Sequence, residues 1–422
     1  MRLVLTYLLL FATINIMAQV GKDTIQLHSV EILQPTIVRN QSQMPLTDLK
    51  YQSGKRLSDM LSELSSVYVK NYGVGQLASI AVRGTSASQT EIQWNGVRMN
   101  QPTLGQNDLS LFALGMQDEV GITSSSGTAA IGGVLAMNNN AKFCNCSSAE
   151  GTLRYGSFNT FQGYGGLQYG RGIISGSTKV SYISAANNFK YRNDYKPGRP
   201  YETQKNSNVK LLSFIQQFNA KIDTHNHISI YLWLSEADRQ LSPIVSKPYS
   251  KERQEDEAIR VMVQWKAKYV QLSGSLLELG FTTAYINEKL LYINPEANLN
   301  ALTRTQVVRN TFISHYSIRG FDITGNLNYD YEQASVAAYQ QIKKRNLGGV
   351  QINARYVFNN NIAICLGLRQ DILNKQASPF SPSLSIGYVK KINVKHSIYL
   401  SLQGARAFRF ATFNDLYWVP GG

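Results

Sequence analysis

Beyond about Gly151 the chain repeats one pattern. Segments of about ten residues alternate apolar and polar side chains and are separated by Asn, Asp and Gly. A period of two sends successive side chains to opposite faces of a strand, so each segment has one apolar and one mixed face. In HISIYLWLS, Ile228, Ile230, Leu232 and Leu234 share one face, and Ser229, Tyr231 and Trp233 share the other. The same division runs through Ile362 to Leu368, Leu276 to Phe281 and Ile398 to Gln403. Such segments predict a mainly β protein whose larger part is an antiparallel transmembrane β-barrel, apolar toward lipid and mixed toward the lumen. A soluble β-sandwich alternates too. The turns favour the barrel: short ones at DTHN (Asp223) and FNNN (Phe358) interleave with long polar connections at about 187–205, 237–257 and 334–346.

The N-terminus fits export. Arg2, the apolar run Leu3 to Ala12 and a small residue at Ala18 read as a signal peptide over residues 1–18, too short and too interrupted for a membrane anchor. No later segment has the length and apolarity of a transmembrane helix, so a membrane-resident form must cross with strands. The net charge of +15 is spread singly, as at Lys179, Lys190, Arg192, Lys196 and Arg199. Nucleic-acid binding needs clustered basic stripes, so it is set aside. The ends and lumen of a barrel, facing lipopolysaccharide or an anionic ligand, suit scattered charge. Cys144 and Cys146 stand too close in sequence for an easy disulfide, and CNC offers too few donors for a metal. The five histidines form no cluster with metal-ligand spacing, and nothing else nominates a catalytic group. An enzyme is not expected, nor a cofactor.

Between these regions lie two further pieces. Residues 19–55 are polar and turn-rich apart from the short extended knot Ser29 to Val38, which reads as a flexible tether carrying one strand. From residue 56 the pattern tightens: RLSDMLSEL puts Leu57, Met60, Leu61 and Leu64 at helical spacing. Two short strand signals follow, VYVKNYG and SIAVRG. TEIQWNGVRM then carries Asn95-Gly96 between apolar runs, a strong hairpin signal.

The helix, the VRG at Val82 to Gly84, WNGVRMNQP and AIGG at Ala130 to Gly133 resemble, in order and spacing, the plug domain of TonB-dependent outer-membrane receptors of the vitamin B12 and siderophore type. FRFATFNDLYW near the end resembles a barrel motif of the same family. The resemblance implies a small α+β plug domain at 56–148 followed by a barrel at 149–422. It also implies a TonB box in the tether, best matched by Ser29, Val30, Glu31, Ile32 and Leu33, whose backbone would add a strand to TonB's sheet. Arg83, Gly84, Asn95, Gly96, Gly132 and Gly133 are expected to be structural within the plug, Arg83 as a partner for a carboxylate or the barrel wall, with ligand contact its alternative, and the glycines as turn or close-approach positions. Two departures stand out: Asn95-Gly96 replaces the family's Asp-Gly, and VGITSSSG at Val120 to Gly127 lacks its Arg-Gly-Pro and Tyr-Gly.

About thirteen strand segments are counted, against about 22 in plugged outer-membrane transporters. The barrel is therefore expected to be incomplete at the C-terminus, and the sequence a fragment or truncated product. The resemblance implies an importer of an iron siderophore or a corrinoid, with haem a further candidate and the ligand-binding residues undefined. The alternatives are a passive or structural barrel and a non-functional remnant; a passive pore has no use for a tether and box.

Overall fold

The computed structural model describes residues 41–43, 53–65, 67–82, 84–123, 131–244, 246, 249–270, 274–359, 361–392 and 396–418. In the N-terminal part, α1 (Leu57–Leu64) follows β1 (Gln41–Gln43), and β2 (Tyr68–Asn71) pairs with β3 (Ala78–Ala81) as a separate ribbon. The strands β4 (Thr90–Trp94), β5 (Val97–Arg98), β6 (Glu119–Thr123) and β7 (Gly133–Asn138) complete a five-stranded sheet in the order β1-β6-β7-β4-β5. Helix α1 forms where the apolar spacing predicts it: Leu57, Met60 and Leu61 are fully buried. Arg56 secures its first turn by gripping Asp59 at 2.9 and 2.5 Å and donating to the Gly73 carbonyl at 2.6 Å. Asn95 and Gly96, with φ of 49° and 83°, close the two-residue hairpin between β4 and β5. Positive φ at both central residues is what this hairpin turn demands, which is why Asn-Gly serves it.

The remaining strands are β8 (Cys146–Gly156), β9 (Thr160–Arg171), β10 (Ile174–Ala185), the loop ribbon β11 (Lys190–Arg192) and β12 (Tyr201–Thr203), then β13 (Val209–Lys221), β14 (Asn226–Gln240), β15 (Arg253–Val270) and β16 (Leu276–Asn294). They continue as β17 (Leu299–Ile318), β18 (Phe321–Val336), β19 (Lys343–Phe358), β20 (Ile362–Leu373), β21 (Gln376–Ala377), β22 (Ser381–Lys391) and β23 (Ser397–Ala405), before the short α2 (Phe413–Tyr417). Apart from the loop ribbon they form one 14-stranded antiparallel sheet, running from β8 to β23 in chain order with β21 off the path beside β20.

Wall strands such as β14 and β20 show the two faces their alternation predicts, whereas β8 and β23, at the ends of the sheet, are largely exposed on both faces, Ile398 and Tyr399 alike. On β14, Ser229, Tyr231 and Trp233 are buried, whereas Ile230 is 46% exposed on the outer face. On β20, Ala363 is fully buried while Ile364 and Leu366 point outward. An apolar outer face and a polar or aromatic inner face is the arrangement of a sheet with lipid outside.

Three expectations change. The connections placed at 237–257 and 334–346 are shorter, spanning 241–252 and 337–342, because β14, β15, β18 and β19 run on as polar strand. Charged pairs across the ladder make this extension favourable: Arg253 meets Asp238 at 2.7 Å, and Arg239 meets Asp256 at 2.6 Å. Cys144 and Cys146, expected to be too close, are joined in a disulfide. Their Cα atoms are 5.3 Å apart, within the usual span, because the chain bends at Asn145 and brings the two flanking residues within reach of one another.

Candidate functional site: the junction of N-terminal domain and wall

The N-terminal domain and the inner face of the wall share one core. Trp94 of β4 packs edge-on against Trp233 at 5.0 Å and Tyr231 at 5.8 Å between ring centres, and Phe112 meets Trp233 at 5.4 Å. Their polar edges are satisfied: Trp94 Nε1 donates to Asn139 Oδ1 at 2.8 Å and Trp233 Nε1 to Ser213 Oγ at 2.9 Å. Arg260 of β15 lies over the Trp233 ring at 4.8 Å and pairs with Glu288 of β16 at 2.6 Å. Edge-to-face rings and a cation over a ring each add about 0.5–2 kcal/mol beyond simple burial.

Charged groups fix the domain at three further places. On one flank Lys179 of β10 reaches Asp118 at 2.7 Å. In the middle Arg239 of β14, almost wholly buried, is bound by Asp108 of the domain at 2.5 Å and Asp256 of the wall at 2.6 Å. On the far flank three arginines converge on two carboxylates of β18. Arg98 of β5 meets Glu332 at 3.0 Å and Asp330 at 3.4 Å. Arg309 of β17 pairs with Asp330 and meets Glu332 at 3.2 Å, and Arg345 of β19 meets Glu332 at 2.6 Å. Burial opposes the charge on Arg98, but Glu332 and Asp330 outweigh it and hold its pKa above the ordinary arginine value. Charges taken from water this way are costly unless fully paired, and this network pairs them.

The junction is not dry throughout. A polar crevice of about 370 Å³ is lined by Gln117, Asp118, Glu150, Gln168 and Lys179, and a smaller one of about 80 Å³ by Arg98, Asn100, Arg345, Arg369 and Phe408. A polar cavity needs only about 10–15 Å³ to admit a water, so both are large enough to be hydrated.

Of the residues singled out in the sequence, Ser29, Val30, Glu31, Ile32, Leu33 and Arg83 lie outside the described residues, as does the stretch 124–130. Gly84 sits at φ +73° with open space beside it, and Gly132 approaches Thr85 so closely that a Cβ would lie 2.1 Å from its hydroxyl oxygen. Gly133 begins β7 at φ +150°. The residues that join domain to wall, Arg98, Asp108, Asp118, Lys179, Arg239, Asp330, Glu332 and Arg345, are not among those chosen. Their signal was available: charges on the inward, alternating positions of long strands, such as Asp330 and Glu332 between Tyr329, Tyr331 and Gln333.

Residues 36–137 match the model of the TonB-dependent receptor plug domain. The chain carries a TonB-dependent receptor plug domain. The vitamin B12 transporter of Photobacterium profundum is 25% identical to it over 380 residues, 87% of this chain and 59% of that protein. The chain therefore spans about three fifths of that curated relative's length. The siderophore receptor PirA from Acinetobacter baumannii superposes with a TM-score of 0.68 at 16% identity, over 88% of this chain and 61% of that one. The copper transporter OprC gives 0.67 at 12% identity, over 86% and 63%. These two likenesses show the fold. In this receptor the N-terminal domain is the plug and the 14-stranded sheet supplies wall strands of the barrel. The charged junction is the contact between them.

Proposed function

We propose that this receptor is an outer-membrane importer of a scarce, bulky ligand, a corrinoid or an iron siderophore, driven by TonB pulling on the tether at Ser29 to Leu33. The carrying observation is the seat of the plug: it is pinned to the inner wall at Lys179, Arg239 and Glu332. A ligand crossing at this wall must pass a plug that has moved. Ion pairs across partly hydrated crevices suit such a part, since charges that separate into water are resolvated, whereas a wholly apolar seat would expose its full area.

Capture falls to the connections on the rim opposite the short turns. The largest, between β10 and β13, presents Tyr195 and Tyr201 largely exposed on the β11–β12 ribbon. Glu202 stiffens that ribbon by accepting from Lys196 at 2.5 Å and Asn193 at 2.9 Å, and Lys196 foremost holds its carboxyl below the usual range. Aromatic faces on a braced ribbon suit corrinoid or siderophore rings. The kinship with a vitamin B12 transporter over most of this chain supports the corrinoid, and a siderophore receptor shares the fold.

Deletion of Ser29 to Leu33 tests the coupling. Uptake of labelled cyanocobalamin, a ferric siderophore and haem by cells carrying the intact gene should identify one transported ligand. The deletion should abolish its uptake while leaving binding to the cell surface unchanged. Undiminished uptake by the deletion overturns TonB coupling through this box, and uptake of none of the three overturns the ligand class.

A further inference from the structure

The segment Phe408 to Tyr417 is absorbed neither by the wall sheet nor by the plug, yet it touches both. On the plug side Phe413 N donates to the Pro102 carbonyl at 3.0 Å and Asn414 N to that of Thr103 at 3.1 Å. The receiving loop is held in shape by Asn100, which donates to Thr90 and Gly105 carbonyls, and by Asn107, which donates to Met99. Gly105 at φ +71° admits Thr412 so closely that a Cβ there would lie 2.8 Å from the threonine methyl. On the wall side Phe413 is fully buried beneath Arg345, whose guanidinium lies 4.5 Å from the ring centre. Arg345 also donates to the Ala411 carbonyl at 2.7 Å. From the connection at 337–342, Tyr339 donates to Asn414 and packs against Tyr417 at 6.1 Å. A capping box between Thr412 and Asp415 fixes the turn that presents Phe413.

Arg345 is the link that matters. The same guanidinium holds the clasped segment and Glu332, and Glu332 holds Arg98 of the plug. Plug and segment are thus joined twice, directly through Pro102 and Thr103 and indirectly through Glu332 and Arg345.

We propose that residues 408–417 form a clasp between the plug and the β18–β19 connection, so that opening the clasp and unseating the plug favour one another. The rim carrying that connection is the one with the long loops, so occupancy there would reach the plug through Tyr339, Phe413 and Arg345. Coupling of this kind is reciprocal: whatever loosens the plug loosens the clasp by the same factor in equilibrium. The inference rests on the plug being the part that moves.

Maleimide labelling of the full chain in outer-membrane vesicles tests both, in a Cys365→Ser background. Phe413→Cys reports the clasp and Ser110→Cys, buried beside Arg239, reports the plug; Leu416→Cys, exposed throughout, is the control. Adding Arg98→Gln should raise labelling at 413 and at 110 by about fivefold or more, the lower end of measured couplings, and leave 416 unchanged. Tyr339→Phe, which spares position 413, should raise labelling at 110. A rise at 110 under Arg98→Gln with none at 413, or no response at 110 to Tyr339→Phe, overturns the clasp while leaving plug movement intact. No rise at either site under Arg98→Gln overturns the clasp together with the plug seat it rests on.

Discussion

At Glu332 one carboxylate is shared by Arg98, Arg309 and Arg345, whereas Arg98 is one of three donors to it. The asymmetry makes a prediction. Glu332→Gln leaves two buried guanidinium groups, those of Arg309 and Arg345, and the partly buried one of Arg98 with Asp330 as the remaining carboxylate in the cluster, and should cost about 3–5 kcal/mol, as breaking a buried pair does. Arg98→Gln leaves Glu332 still doubly paired and should cost nearer the about 1.5–3 kcal/mol of a hydrogen bond to a charged group. Thermal unfolding in detergent compares the two, and equal losses would sink this account of the cluster. A second residue-scale case is Gly75, where the plug meets β13: a Cβ would lie 2.1 Å from a methyl of Val209, at φ +68°. Gly75→Ala should cost about 1–3 kcal/mol from overpacking, with about 1–2 kcal/mol more from the left-handed backbone. Pairing it with Val209→Ala should recover the packing part alone. If the pair recovers nothing, the contact is not the cause.

At the scale of elements, the strand is the unit whose two faces do different work. On β14 the inward Tyr231 and Trp233 bind the plug, and the outward Ile230 is covered by no protein layer among the described residues. Ile230→Arg should therefore fold poorly into lipid, at a cost of about 2–4 kcal/mol if it lies near the bilayer midplane. Loss of the heat-modifiable band on gels measures this. A variant that inserts as well as the parent would show that this face does not meet lipid. The strands also outrun the bilayer. Transmembrane strands need about 9–11 residues, whereas β15, β16 and β17 have 18, 19 and 20. The excess is ion-paired at Arg253, Glu255 and Glu257 of β15, the last with Lys289 of β16, and the alternating apolar signal read at Leu276 to Phe281 marked one end of β16 and not its whole length.

For the whole molecule, the plug's seat decides what a pull on the proposed TonB box would do. Pulling on a tether is useful only if the part it moves is held by contacts that release, and the junction combines an aromatic cluster at Trp94 with ion pairs beside crevices large enough to admit water. If ligand capture belongs to the rim and force transmission to the tether, as proposed, deletion of Ser29 to Leu33 gives binding without uptake. The three relatives and neighbours carry names that include vitamin B12, a siderophore and copper, so the shared fold does not select the ligand.

Much of this receptor was legible in the chain because it is written locally. Period-two alternation fixes which face of β14 meets lipid, helical spacing fixes α1, and Asn95-Gly96 fixes the β4–β5 turn. Each of these depends on neighbours a few residues away. The charged junction was not legible, because Arg98 and Glu332 are far apart in sequence and neither has a spacing that announces the other. An isolated inward charge looks the same whether it faces water in a lumen or a carboxylate on a plug. Only the packing of one domain against the wall of the other decided which, and it decided in favour of the pair because an unpaired charge there would be untenable.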